Sequence, residues 1–409
     1  MLRLSALAAV LAMAACTDAP TDPASAGNAP LAPAEAAGLA VAALPDGPVV
    51  AYVDTTRQLI VRTASGEPVV VDAGPVSSHS QAGPRLAALP DGALVAAYVV
   101  EQVVEGRRFP ASELYITRSE DGGATWGQPV QPYADAGFPT GHTFHSLAAG
   151  ADGTVVVAWL DGTARDRWRR DQAAEAAAHR HAGHVPIRLV HNGEDHSTPA
   201  ADDPEPGTQL HAAVSMDGGR TFSAPAQVAS GTCQCCRTAL HVADDGSLYA
   251  TWRHIFPNSE RDIALARSTD GGASWDEPVK VFADRWALDG CPHAGPAVTT
   301  DASGTVHVAW PTGAEDRSGL WRATSADGGM TFDKPVALAS PAPLGQFRAV
   351  QSGGDAVFAL EDQGEISVFA VGASDTLRVE GTTADLAAGD DGWHLLWHDG
   401  EAVRLHSAP

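Results

Sequence analysis

Short runs of Val, Ala, Leu and Ile recur in pairs along most of the chain, each pair bent around a Gly-containing turn and most ending in a small residue followed by an aromatic. The pairs span Leu39–Tyr52, Leu86–Tyr98, Leu147–Trp159, Thr238–Trp252, Ala297–Trp310 and Leu386–Trp397, with a degenerate copy at Arg348–Leu360. Within each run the residues alternate or are wholly apolar, the pattern of strands in a buried sheet. Seven hairpins are therefore expected.

A second pattern is locked to the first. Ser-x-Asp-Gly-Gly-x-x-Trp/Phe occurs at Ser119–Trp126, Ser215–Phe222, Ser268–Trp275 and Ser325–Phe332, around Asp121, Asp217, Asp270 and Asp327. The aspartate can accept bonds from backbone N–H groups two or three residues on, and the paired glycines tolerate positive φ. The aromatic is expected to plug the space between neighbouring units. Nothing in the motif offers a nucleophile or base, so it reads as a structural clamp. Each copy follows a hairpin at the distance of one further strand, as with Leu114–Arg118 and Ile263–Arg267. The repeating unit is a four-stranded antiparallel sheet, and such units packed around an axis make an all-β propeller whose closure removes exposed edges.

These motifs resemble the Asp-box (BNR-repeat) propellers of the sialidase superfamily over nearly all of residues 36–409. The resemblance implies fold more than activity, because the boxes occur in hydrolases, lectin-like modules, assembly factors and sorting receptors. The hairpin count favours seven blades, with six as the alternative. The last blade, Leu386 to His406, looks incomplete and is expected to be closed by a strand from the N-terminal side. An insertion at about 160–208 interrupts blade three. Its Arg165–His181 stretch has helix propensity, with Gly183 as the stop. Its histidines (His179, His181, His184, His191, His196) share no consistent face, so a flap is preferred to a metal site.

The N-terminus changes the picture of where the protein works. Met1-Leu2-Arg3, an apolar run to Ala15 and then Cys16 resemble a bacterial lipoprotein signal, which implies acylation of Cys16. Thr17 in the next position implies the outer membrane, and residues 16–35 would form a flexible tether. The 409 residues carry a formal net charge of −24, which excludes nucleic acid as a natural partner.

Residues just before the innermost strands of a propeller converge at one mouth of its axis. Here they are His79 and Arg85, His142 and His145, Cys233-Gln234-Cys235-Cys236-Arg237, Cys291-Pro292-His293, and Arg348. In an oxidising envelope, disulfides are the default for Cys233, Cys235, Cys236 and Cys291, such as a bond from Cys233 or Cys236 to Cys291. The competing readings are redox chemistry and a thiolate site for Cu or Zn with His293 or His145 as a further ligand. Arg85, Arg237, Arg253 and Arg348, with Arg261 further along, offer guanidinium forks for a carboxylate or sulfate, unless carboxylates such as Glu260, Asp262 or Glu361 already occupy them.

Sialidase-type hydrolysis, implied by the family likeness, requires a late tyrosine nucleophile and an early Arg-Ile-Pro motif. No tyrosine follows Tyr249, and Arg57 and Arg62 lack that context. Paired carboxylates from Asp262, Asp289 and Glu361 are a further hydrolytic option without supporting spacing. The expected function is an anchored propeller binding an acidic glycan, a metal or a metal-bearing envelope partner at the Cys/His/Arg mouth. An exo-sialidase-type hydrolase and a structural interaction platform are the alternatives.

Overall fold

The computed structural model describes residues 31–63, 66–105, 107, 110–134, 138–181, 190, 191, 194, 195, 205–339, 346–389 and 392–408. Cys16, the signal, most of the tether, Gly183, His184 and His196 lie outside them.

Seven antiparallel sheets follow one another along the chain. Blade 1 comprises Ala37–Leu44, Gly47–Val53, Leu59–Thr63 and Val69–Asp72. Blade 2 comprises Arg85–Ala88, Leu94–Gln102 and Ala111–Ser119, with Val130 bridged to Ile116 at the position of a fourth strand. Blade 3 is built from His142–Ala149, Val155–Asp161, Thr208–Ser215 and Ala226–Thr232. Blades 4 and 5 run Ala239–Val242, Leu248–Arg253, Ile263–Ser268, Val279–Lys280, then Ala297–Thr300, Val306–Thr312, Gly319–Ser325, Val336–Ala339. Blade 6 has Gln346–Ser352, Asp355–Asp362, Glu365–Ala370 and Thr376–Glu380, and blade 7 has Thr382–Gly389, Gly392–His398 and Val403–Ala408.

Apolar residues at alternate positions of each strand face one neighbouring blade, and those between face the other. The consequence is a separate apolar core at every blade-to-blade seam. Val157 and Trp159 of blade 3 join Val95 and Leu114 of blade 2, whereas Ala158 and Leu160 join Trp252 and Ala264 of blade 4. The last seam closes the ring: Leu39, Val41 and Tyr52 of blade 1 pack on Ala387, Leu396 and Val403 of blade 7. Asp385 Oδ2 also accepts the Val41 amide at 3.0 Å. Closure therefore rests on a shared core. Among the described residues the sheet of blade 7 has three strands, none of them from the N-terminal side, and Ala32 packs against the closing seam.

We use upper for the end at which the chain runs into each innermost strand, and lower for the opposite end. The four Ser-x-Asp-Gly-Gly turns terminate the third strands of blades 2, 3, 4 and 5, so they lie at the lower end. In the first, Asp121 Oδ1 accepts the Thr125 amide at 2.8 Å, four residues on, and Ser119 Oγ accepts the Gly123 amide at 2.8 Å. The other three repeat this pairing, as Ser274 N to Asp270 Oδ1 at 3.0 Å illustrates. Glycine is obligatory at Gly272: φ is +84°, and a Cβ would stand 2.4 Å from Val214 of blade 3. The aromatic does act as a seam plug, since Trp126 joins the core between blades 1 and 2 and Phe332 that between blades 4 and 5.

The insertion leaves blade 3 at its upper end. Its helix, Thr163–His181, begins where Asp161 Oδ1 accepts the Thr163 amide at 2.8 Å and Asp166 supplies negative charge to the first turn. A two-residue strand pair, Val190–His191 with Glu194–Asp195, comes after it. Among the described residues, no helix is long and apolar enough to cross a membrane.

Candidate functional site

Small residues on the innermost strands keep the axis open. The resulting cavity of about 510 Å³ is lined by Ala42, Ala87, Ala148, Ala297, Ala349 and Ala387 among others. At its upper end the cavity meets Arg85, Arg237, Arg348 and Asp385, drawn from blades 2, 4, 6 and 7. Arg348 Nε pairs with Asp385 Oδ1 at 2.7 Å, so a carboxylate does occupy this arginine, although not one of the three expected. Arg85 donates to the carbonyls of Gly83 and Pro84. Burial pulls its pKa down to about 10, helped by the charge of Arg348 and opposed by Asp385.

Arg237 spans the mouth, donating Nη2 to the Phe347 carbonyl of blade 6, while its Nε has no partner among the described residues. Its path crosses Gly295 at the start of blade 5, where a Cβ would stand 2.6 Å from Arg237 Cγ. Glycine is thus what lets a side chain bridge two non-adjacent blades.

His145 belongs to this arginine layer, not to the thiols. The first strand of blade 3 breaks register between Thr143 and Ser146, and Phe144 takes φ +52°. This bulge turns His145 inward, where Nε2 meets the Ala97 carbonyl at 3.1 Å. Burial, then the charge of Arg85, pushes its pKa down to about 3, so the ring is neutral, with Nδ1 unpartnered among the described residues.

The cysteines converge on one corner of the mouth. Cys233, Cys235 and Cys236 sit at the upper end of blades 3 and 4, buried against Phe144 and Ile255. Cys233 Sγ is 3.6 Å from Cys235 Sγ and 3.7 Å from Cys236 Sγ. A disulfide requires about 2.05 Å. The disulfide expected between Cys233 or Cys236 and Cys291 is therefore not formed: all four are thiols. Arg261 Nη1 approaches Cys233 Sγ at 3.3 Å. Hydrogen bonds from Cys235 and Cys236 and the charge of Arg261 push the Cys233 thiol well down, while the same bonds and burial push Cys235 up. Cys233 Sγ is thus flanked by two further sulfurs and a guanidinium.

Cys291 and His293, at the upper end of blade 5, are exposed and reach the same corner. Cys235, Cys291 and His293 present donor atoms within 4.8 Å of one another, as do Cys233, Cys235 and Cys236. His293 holds φ +51° and its carbonyl accepts from Gln346 Nε2 at 3.1 Å. The His79 ring lies 5.9 Å from the His293 ring. The start of the inserted helix borders this corner, since Arg165 Nη1 donates to Gln234 Oε1.

Two expectations are corrected. Arg253, proposed as a ligand-binding fork, is 1% exposed, and its three nitrogens donate to the carbonyls of Ala294, Arg261 and Pro311 beneath the Trp286 ring. It is a rivet between blades 4 and 5. Asp262 is 0% exposed, holding Lys280 at 2.9 Å and the amides of Arg285 and Trp286. Glu361 accepts the Thr383 amide and Asp289 is exposed, so each carboxylate has its own environment. Asp385 is the functional residue left out. The rule used for the other strand starts would have found it, one residue before Leu386. Arg261, expected among the guanidinium forks, lies in a loop between second and third strands and meets the Cys233 sulfur instead.

The fold defines a seven-bladed β-propeller. No protein-family model matches the chain, and no curated protein matches it. Solved structures do. An α-L-arabinanase from Penicillium chrysogenum in complex with arabinobiose aligns with TM-score 0.52 at 16% identity, over 81% of this chain and 96% of that one. A polysaccharide lyase of family PL25, an ulvan lyase, gives 0.51 at 10% identity over 93% of each chain. A Hadza microbial sialidase gives 0.50 at 15% identity, over 88% of this chain and 73% of that one. At these identities the likeness is one of fold, shared by propellers active on carbohydrates.

Proposed function

We propose that the protein is an envelope propeller of the Asp-box type, lipid-anchored through Cys16, that binds a soft transition metal at the Cys/His corner of its upper mouth. The carrying observation is convergence: four thiols and an imidazole from blades 3, 4 and 5 gather at one corner of the mouth. Soft sulfur donors select Cu(I) or Zn. The buried set offers three sulfurs, with Cys291 and His293 belonging to a second set rather than supplying a fourth ligand to the first. A structural zinc site wants four ligands in a tetrahedron, which favours Cu(I).

The test is to titrate the reduced full chain with Cu(I) buffered by bicinchoninate. Wild type is expected to withdraw about one Cu(I) per chain, and Cys233→Ser/Cys236→Ser to withdraw none. Failure of the wild type to withdraw copper ends this reading.

Arg85 and Arg348 favour a second reading, an acidic glycan docked over the channel, in line with the carbohydrate activities named for the similar structures. Hydrolysis is the weaker form of it, because the late tyrosine is absent and Asp262 is sealed from solvent. A glycan array with wild type and Arg85→Ala/Arg348→Ala separates the two: binding lost in the variant supports the glycan.

A further inference from the structure

The thiol corner has two parts with opposite exposure. Cys233 and Cys236 are 1% and 2% exposed, whereas Cys291 and His293 face solvent. Cys235 belongs to both sets, and in each set all donor atoms lie within 4.8 Å of one another. A single closed site would surround its metal with all of these donors at once. Here the donors form two overlapping triads instead, one at the surface and one beneath it.

Resting on the metal reading above, we infer that the corner is a two-position relay: Cu(I) cargo is captured by Cys291, His293 and Cys235, then passed inward to Cys233, Cys235 and Cys236. The step is ligand exchange. Cys235 keeps its bond to the metal throughout, the Cys291 sulfur and the His293 ring nitrogen leave, and the sulfurs of Cys233 and Cys236 bind. Arg261 Nη1, 3.3 Å from Cys233 Sγ, is placed to offset the charge of the bound sulfur. Cys233 and Cys236 each lose a proton on binding, Cys291 regains one on leaving and the other passes to solvent, so the proton count balances. Copper remains +1, and no oxidant or reductant is needed.

The surroundings suit the two positions to different tasks. The inner triad is walled by Phe144 and Ile255, and Arg261 places a cation 3.3 Å from Cys233 Sγ, so a negatively charged copper–thiolate centre is both shielded and neutralised. In the outer triad, Cys291 and His293 are exposed and only Cys235 shares that wall. Its His293 nitrogen is a more easily displaced donor than a thiolate, as a transfer ligand must be. The donor implied is a Cu(I) carrier whose own ligands are displaced at the surface, since the buried sulfurs are out of reach of another protein.

The experiment compares rate with equilibrium, using the full reduced chain and the coloured Cu(I)–bicinchoninate complex as donor in a stopped-flow instrument. For Cys291→Ser/His293→Gln, the loading rate is expected to fall about tenfold or more, with a much smaller loss of affinity. For Cys236→Ser, affinity is expected to fall about a hundredfold, with the early phase of loading retained. The outer variant changes exposed side chains only, so its outcome does not depend on tolerance of the core. If it loses affinity as steeply as Cys236→Ser, or loads at the wild-type rate, the relay is wrong while the metal site stands. If wild type takes up no copper, the metal reading falls as well.

Discussion

The two ends of the propeller are built on opposite terms. At the lower end, the same serine–aspartate turn is used four times, its carboxylate and hydroxyl oxygens consumed by local donors, as at Asp217 with the Thr221 amide and hydroxyl at 2.9 and 2.6 Å. At the upper end no two loops are alike. All eight non-glycine residues with left-handed φ among the described residues lie there: Arg57, Phe144, Asn258, Ser259, Arg285, His293, Gln363 and Thr383. So do the buried orphan atoms His145 Nδ1, Arg237 Nε and Arg261 Nε. Strain and unsatisfied polarity persist only where surrounding structure over-determines them, and they gather at sites.

The sharpest way to break this contrast is to damage the relaxed end. Gly272→Ala forces a Cβ into Val214 at a φ that L side chains resist. It is expected to destabilise the fold by about 2–3 kcal/mol, read as a lower urea midpoint, with copper affinity of the folded protein unchanged. A matching loss of affinity would show that the two ends are not separable.

Acid probes the upper end more gently. His145 has a folded pKa near 3, and His241, beside Thr300 towards the lower end of the channel, has one near 4, both lowered first by burial. Their unfolded values lie near 6.5. Between those limits the unfolded chain binds more protons, so stability falls as pH drops from about 6.5 towards the folded values, by at most about 1.4 kcal/mol per pH unit per ring. His145→Gln is expected to flatten this slope in denaturation curves taken from pH 7 to pH 4. An unchanged slope would mean that His145 is not buried as a neutral ring.

The smallest effect tests strain directly. Arg285 is exposed at φ +56°, and its contribution to Asp262 comes from the backbone amide, which glycine retains. Arg285→Gly is expected to stabilise by about 0.5 kcal/mol, the relief of left-handed strain less the extra entropy of an unfolded glycine. A loss of stability would show that its side chain matters more than its backbone geometry.

Much of this molecule was legible from residue order. Period-two apolar runs, glycine turns and the serine–aspartate repeat are local signals, so they specified hairpins, blade number and the position of the seam aromatics. The rule that starts of innermost strands meet at one mouth brought Cys236, Arg237 and Arg348 to the same end, where Arg237 bridges to Phe347. What it could not resolve was depth. Arg253 and Arg348 read alike in a sequence, yet one is spent on three backbone carbonyls and the other faces the channel beside Asp385. The split between an arginine layer holding His145 and a separate thiol corner likewise depends on a one-strand bulge at Phe144–His145. Whether cysteines pair, and which stay exposed, is set by loop paths measured in ångströms between blades far apart in the chain. Local patterns are written in neighbouring residues, but burial and donor geometry arise only when the ring closes.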